Sequence, residues 1–192
     1  MKNFSEDYTF KEATLFSLQL MQLSRILWKV IENDWENLLK PYGININEHH
    51  ILSMAYNAPY ISIMELAEFG SMHMTTAFNF SKRLKQKGYL RIIEKKVKRK
   101  NTCIELTKRG EELLLEILKN FKPHENKFFL GALSTKDLYG KLPNFTELIT
   151  LTRNIYDENL IALMDNYLSM IERNLIEEDR MLKKKIDEVV KQ

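Results

Sequence analysis

Cysteine is nearly missing from this sequence: Cys103 stands alone in 192 residues, so no internal disulfide can form and the chain fits a reducing cytoplasm. Apolar residues never run on for the roughly 20 positions that a membrane-spanning helix needs. The N-terminus carries Glu6 and Asp7 and no small-residue cleavage site, which sets aside a secretion signal. Also lacking are a glycine-rich phosphate loop, a Gly-x-Ser-x-Gly elbow and a His-Glu-x-x-His pair. Of the four histidines, His49 and His50 are neighbours on an expected helix and face different directions, while His73 and His124 fall in other elements. Structural or solvated histidines therefore outweigh a shared metal site. The expectation is a chain with no catalytic residue, no metal, no cofactor and no membrane partner.

What the chain does have is an uneven distribution of charge. Its 29 basic and 26 acidic residues leave a net +3. Between Lys82 and Arg109, however, stand twelve Lys or Arg against Glu94 and Glu105, so this stretch carries +10 and the remainder −7. Such asymmetry points to a polyanion met by one surface. A solvated basic face that binds nothing is the alternative, and charge alone does not choose between them.

Sequence pattern does. Ser62-Ile63-Met64-Glu65 is a capping box that opens a short helix, with Leu66 and Ala67 turned inward and Gly70-Ser71 ending it. A second helix is expected from His73 to Lys87, stopped by Gly88. At 100° per residue, Ala77, Phe80, Ser81 and Leu84 share one side, and Thr75, Thr76, Asn79, Lys82, Arg83 and Gln86 share the other. The two helices read as a helix-turn-helix. The outward face of the second holds short hydrogen-bonding groups toward its N-terminus and cations toward its C-terminus, which suits base edges at the tip and phosphates further along. Asn79 has the groups to pair with an adenine edge, and Thr75 or Thr76 can take a base or a phosphate. For each of these residues, and for His73, a phosphate contact or a solvated side chain is the alternative to base contact. Phe78 lies at the boundary of the two faces, where packing beneath the first helix is preferred over contact with a thymine methyl.

After Gly88 the period becomes extended through Tyr89 to Ile93, Lys95 to Val97 and Thr102 to Leu106. Two strands joined by a basic turn make a wing, whose cations Lys96, Lys98, Arg99 and Lys100, with Asn101, are placed to reach an adjacent minor groove or its phosphates. Cys103 falls on a wing strand, where alternation turns it inward as a small apolar group; redox sensing is the less favoured reading. Thr107 then caps a helix from Lys108 to about Phe121.

On either side lie further helices. Thr9 to Lys40 places Phe10, Leu20, Leu23, Leu27, Ile31, Trp35 and Leu38 at helical spacing before Pro41 and Gly43. That stripe, with Trp28, suits core or subunit-interface packing. Asn47 is expected to cap a helix from Glu48 to about Asn57, and residues Lys122 to Lys141, with Pro123, Gly131 and Gly140, read as a loop. From Pro143 to the end a helical region carries Leu160, Met164, Tyr167, Ile171, Leu175, Leu182, Ile186 and Val189 as a stripe. The stripe is covered by a second subunit or by its own chain.

Several stretches carry a family resemblance: Ala67, the helix from His73 to Lys87, the exit Lys87-Gly88-Tyr89-Leu90, and Leu106-Thr107-Lys108-Arg109-Gly110. These resemble the MarR family of winged-helix transcriptional regulators. Leu27-Trp28-Lys29, Leu39-Lys40-Pro41-Tyr42, the run from Ile44 to Leu52 and Thr76 to Lys82 are similar to one branch, the Hpr (ScoC-type) protease-production regulators of spore-forming bacteria. The resemblance runs from about Tyr8 to Lys185. It implies a homodimer on imperfectly palindromic double-stranded operators, mostly repressing, with targets of the extracellular-protease, stationary-phase or sporulation type. The family wing usually carries Asp-x-Arg where this chain has Lys98-Arg99-Lys100, so the wing here is expected to be more electrostatic and less specific.

The expected fold is therefore mainly α with a small β-wing, a winged helix-turn-helix flanked by N- and C-terminal dimerisation helices. Residues 1–46 form the N-terminal dimerisation helix, 47–110 the DNA-binding domain and 111–192 the C-terminal helical region. A helical protein-interaction scaffold with non-specific DNA binding is the second reading. No residue identifies a small-molecule effector.

Overall fold

A computed structural model describes residues 8–95 and 101–156, and beyond them Ile161, Ala162, Asp165, Ser169, Glu172, Leu175, Ile176, Met181 and Leu182. In order, the elements are α1 (Phe10–Leu39), α2 (Ile46–Asn57), α3 (Ile63–Phe69), α4 (Met74–Gln86), β1 (Leu90–Lys95), β2 (Asn101–Leu106), α5 (Lys108–Lys119), α6 (Lys127–Tyr139), α7 (Thr146–Ile155), β3 (Leu175–Ile176) and β4 (Met181–Leu182). Residues 1–37 with 122–142 form one compact unit, and residues 38–121 with 143–192 form another.

The second unit holds the winged helix-turn-helix. Its core collects Leu39, Ile51, Leu52, Leu66, Ala77, Leu84, Ile104, Leu114 and Ile117, each almost wholly removed from solvent. The burial follows the expected periods: Ala77, Ser81 and Leu84 are the inner side of α4, with Phe80 only half-buried at its margin, and Leu66 is that of α3, with Ala67 half-buried beside it. Ser81 is tolerated at zero exposure because its hydroxyl donates to Ala77 O (2.8 Å).

Local chemistry sets each junction. Ser62 and Glu65 exchange side-chain and backbone bonds in the expected capping box. Asn45, not Asn47, caps α2: its Oδ1 accepts from Glu48 N–H (2.8 Å) while Glu48 Oε2 accepts from Asn45 N–H (3.1 Å). The acid three residues on makes this the stronger box. Helix α4 ends in a Schellman turn, with Tyr89 N–H donating to Leu84 O (2.9 Å), Gly88 N–H to Lys85 O (3.0 Å) and Gly88 at φ +80°. Thr107 then clips the turn to α5: its hydroxyl donates to Gly88 O (2.8 Å) and accepts from Gly110 N–H (3.1 Å).

Strands β1 and β2 pair antiparallel from Leu90↔Leu106 out to Lys95↔Asn101. Asn101, expected at the tip of the wing, is on the strand, because the ladder runs one pair further than the sequence alternation indicates. The base of the hairpin gains a third partner: Ile104 N–H donates to Ile61 O (2.9 Å), and Ser62 bridges Cys103. Cys103 is buried, as the alternation requires.

In the first unit the expected loop after Lys122 contains a 3-10 turn at Pro123–Glu125 and the helix α6. Gly131 costs a helix about 1 kcal/mol relative to alanine. Two acceptors at the start of α6 offset that: Asn126 Oδ1 takes the Phe129 N–H (2.7 Å) and Asp34 Oδ2 the Phe128 N–H (3.0 Å). Asp34 comes from α1, 94 positions earlier, so sequence spacing gives no sign of it.

The C-terminal stripe is also corrected in part. Leu175 and Leu182 are cross-strand partners in a short hairpin, with Ile176 opposite Met181, and β4 lies against α5. Positions seven apart serve a helical stripe equally well, but the four polar residues 177–180 between the apolar pairs also suit a hairpin connection. Leu160, Met164, Tyr167, Ile171, Ile186 and Val189 lie outside the described residues.

A Cβ on Gly110 would overlap the Tyr89 carbonyl and crowd Leu106. Gly110→Ala should therefore lower the unfolding free energy by about 1–3 kcal/mol, read from urea denaturation. An unchanged midpoint would show that α5 shifts freely against the Tyr89 turn.

Candidate nucleic-acid interface

Helix α4 presents one face outward. Thr75, Asn79, Lys82, Arg83 and Gln86 are exposed and Thr76 is half-buried. His73 is the N-cap of α4: Nδ1 accepts from Thr75 N–H (3.3 Å) and lies 3.1 Å from Thr75 Oγ1. The ring thus holds the first turn while remaining exposed. The sequence-derived set on α4 is therefore brought to one side of the molecule. The wing cations Lys96, Lys98, Arg99 and Lys100, and with them the Lys98-Arg99-Lys100 departure, lie outside the described residues.

Beneath α4 lies a residue that the sequence reading missed. Glu48 is fully buried on α2, yet carries a carboxylate. Its two oxygens each stand 3.3 Å from Lys87 Nζ, and Oε1 is 3.3 Å from Arg83 Nε. Lys87 Nζ also donates to Gly43 O (2.8 Å). One carboxylate therefore caps α2 and pins the last two turns of α4, with its desolvation offset by two cations and a backbone donor. Arg83, assigned by the sequence to the outward face, is tied to this cluster through Nε and stacks 5.7 Å over the Phe80 ring. Asn45-x-x-Glu48 spacing was the available signal for the cap, but nothing local marks this acid for burial.

Phe78 departs from expectation. It is not packed beneath α3 but 41% exposed, because the inner side of α4 is already filled by Ala77, Ser81 and Leu84. With the exposed Met64 and Met74 it lines an apolar groove beside the outward face of α4.

The histidines of α2 belong to the core. Burial pushes His49 down to about 4, helped by neighbouring His50, which burial also lowers. Among the described residues no three His, Cys, Asp or Glu side chains gather in a way that would hold a metal ion. No described helix is long and apolar enough to cross a membrane.

Comparison with known proteins agrees with this architecture. A model of the MarR family matches residues 44–100. Two proteins named HTH-type transcriptional regulator Hpr, from Bacillus cytotoxicus and Bacillus cereus, are each 48% identical over 185 residues, covering 96% of this chain and all of theirs. Among solved structures, the transcriptional regulator BldR from Sulfolobus solfataricus superposes with a TM-score of 0.54 at 21% identity, over 72% of this chain and 93% of its own. A mutant MarR from E. coli, solved with operator DNA, gives 0.52 at 17% identity, over 71% and 93%. At such identities the two structures speak to the fold.

Two outcomes follow from the buried charges. Glu48→Gln keeps a capping acceptor but removes the charge; with Lys87 and Arg83 part-exposed, the loss should be about 1–2 kcal/mol in urea denaturation. A neutral effect would mean that the cap alone fixes α2. The second concerns pH. With His49 at about 4 folded and near 6.5 unfolded, the unfolded chain binds the extra proton between those values. Stability should be full above pH 6.5 and fall by about 3 kcal/mol as pH drops through 4. His49→Asn should flatten that slope, and an unchanged slope would assign it to other groups.

Proposed function

The chain belongs to the MarR family, and from that footing we propose that it is a sequence-specific double-stranded DNA-binding transcriptional regulator acting as a homodimeric repressor. The observation that carries this reading is the outward face of α4, exposed Thr75, Asn79, Lys82 and Gln86 on a helix clamped at its C-terminal end by Glu48, inside a stretch of +10. A helix so held enters a major groove with its N-terminal residues at base edges and its cations near phosphates. Asn79 pairs with an adenine edge, Thr75 and Thr76 meet a base or a phosphate, and Lys82, Arg83 and Gln86 contact the backbone with His73 at the tip. Lys96, Lys98, Arg99, Lys100 and Asn101 supply the wing's contacts to the flanking phosphates and minor groove.

Residues 47–110 form the DNA-binding domain, and residues 1–46 and 111–192 the dimerisation regions. Support for the dimer comes from α1, where Phe10, Leu23, Ile26, Leu27 and Trp28 are exposed in the single chain. An apolar face of that extent requires a partner. A second copy supplies it, and sets two α4 helices about one DNA turn apart on a pseudo-palindromic site. The relatives are named as transcriptional regulators, and we extend that role to targets of the protease, stationary-phase or sporulation type, in a cytoplasmic protein bound to the nucleoid. The chain acts by binding and not by catalysis, and needs no cofactor.

The test is selection of genomic fragments by the purified protein at physiological salt, with Asn79→Ala and Arg99→Ala alongside. The expected result is a two-fold motif that Asn79→Ala relaxes at one or two base pairs, whereas Arg99→Ala weakens binding to all sequences alike. With about eight phosphate contacts per dimer, affinity should fall on the order of 10⁴-fold between 50 and 200 mM salt. Unrelated fragments recovered by all three proteins would favour the scaffold reading instead.

A further inference from the structure

The apolar side chains of the groove beside α4 are not used by the contacts above. Met64, Met74 and Phe78 line it together with Thr75, with Ser62 and Ile63 at the start of α3 and with Thr102 of β2. Met64 is 62% exposed, Met74 56% and Phe78 41%, on a face that otherwise carries hydrogen-bonding and cationic groups. Large apolar side chains beside a strongly basic surface are unfavourable in water and gain nothing from a phosphate. The inner side of α4 is full, so the Phe78 ring has no place in the core.

Resting on the DNA-reading function proposed above, we propose that Met64, Met74 and Phe78 form a receptor for a thymine C5-methyl in the major groove, making Phe78 a specificity-determining residue. The choice of occupant follows from base chemistry. Of the four bases, only thymine shows an apolar group in the major groove; the others present donors and acceptors there. Phe78 stands one residue before Asn79 and one helical turn before Lys82, so a base edge at the groove lies next to the site of adenine pairing and to a phosphate-binding cation. Thr75, whose hydroxyl and N–H are both held by His73, fixes the wall of the groove at the tip of the helix. The groove and the polar face thus read neighbouring positions, one by hydrogen bonds and one by exclusion of water from a methyl.

Deoxyuridine differs from thymidine by that methyl alone, which makes the test direct. The strongest fragment from the genomic selection is prepared with thymine and again with uracil at every thymine position, and both are titrated with wild-type protein, Phe78→Ala and Phe78→Leu. The expected loss for wild type on the uracil form is about 4-fold per buried methyl, or about 15-fold when both half-sites of a dimer contribute. Phe78→Ala should bind the two forms equally, and Phe78→Leu should retain part of the difference. Equal binding of both forms by a wild-type protein that still prefers the fragment to random DNA overturns the methyl receptor and leaves the DNA-reading function standing. A full methyl effect that survives in Phe78→Ala overturns the role of Phe78. If wild type shows no sequence preference at all, the DNA-reading function itself fails and the receptor fails with it. Thermal unfolding of the variants separates these results from loss of fold, and the wild-type comparison needs no variant.

Discussion

Everything that α4 can do depends on a buried carboxylate. Glu48 sits where water cannot reach it, so its charge must be met by the protein, and it is met by Lys87 and Arg83 from the far end of α4 and by the Asn45 amide from its own helix. Because Lys87 also donates to Gly43, the exit of α1, the start of α2 and the end of α4 converge on one ion cluster. Burying an ion pair is weak evidence of added stability, since desolvation offsets most of the attraction. Its effect here is geometric: shifting α4 along or around its axis would strand a charge, so the outward face keeps a fixed orientation.

The opposite end of the same helix is governed by weaker interactions. His73 and Thr75 complete the first turn in an exposed setting, without buried charge. Helix α4 therefore has a C-terminal end fixed by buried charge and an N-terminal end held by a cap and by the packing of Ala77. The arrangement suits the proposed function: cations meeting phosphates would gain from a fixed position along the backbone, while groups meeting bases at the tip would have to adjust to individual edges. The Schellman turn at Gly88 and the Thr107 clip carry the fixed end into the wing and α5, so α4 and the wing share a single support.

Most of this architecture is legible in the sequence. The inner side of α4, the Ser62 box, the Gly88 stop, the wing and the Thr107 cap all follow from periods and capping residues close together in sequence, where local physics decides. Misreadings arose where distant residues decide. Asp34 supplies an acceptor for α6 from 94 positions away, turning an expected loop into a helix. Leu175 and Leu182 satisfy a helical stripe and a hairpin equally, and contact with α5 is invisible to a linear reading. Phe78, at the boundary of the two faces, is expected to pack beneath α3, yet the volume beneath α4 is already taken. Glu48 was overlooked for a simpler reason: an acid in a capping box is ordinarily on the surface, and its burial depends on Lys87 and Arg83, 39 and 35 positions on.

The described part of the wing is anchored through the ladder from Leu90↔Leu106, the bond from Ile104 to Ile61 and the bridge from Cys103 to Ser62. That placement puts one short stretch of chain under two demands. Cys103 and Ile104 fill the core and at the same time join the strand to the start of α3. A substitution that meets only one of these demands costs the other, so β2 tolerates fewer changes than the exposed side of α4, where no packing has to be preserved.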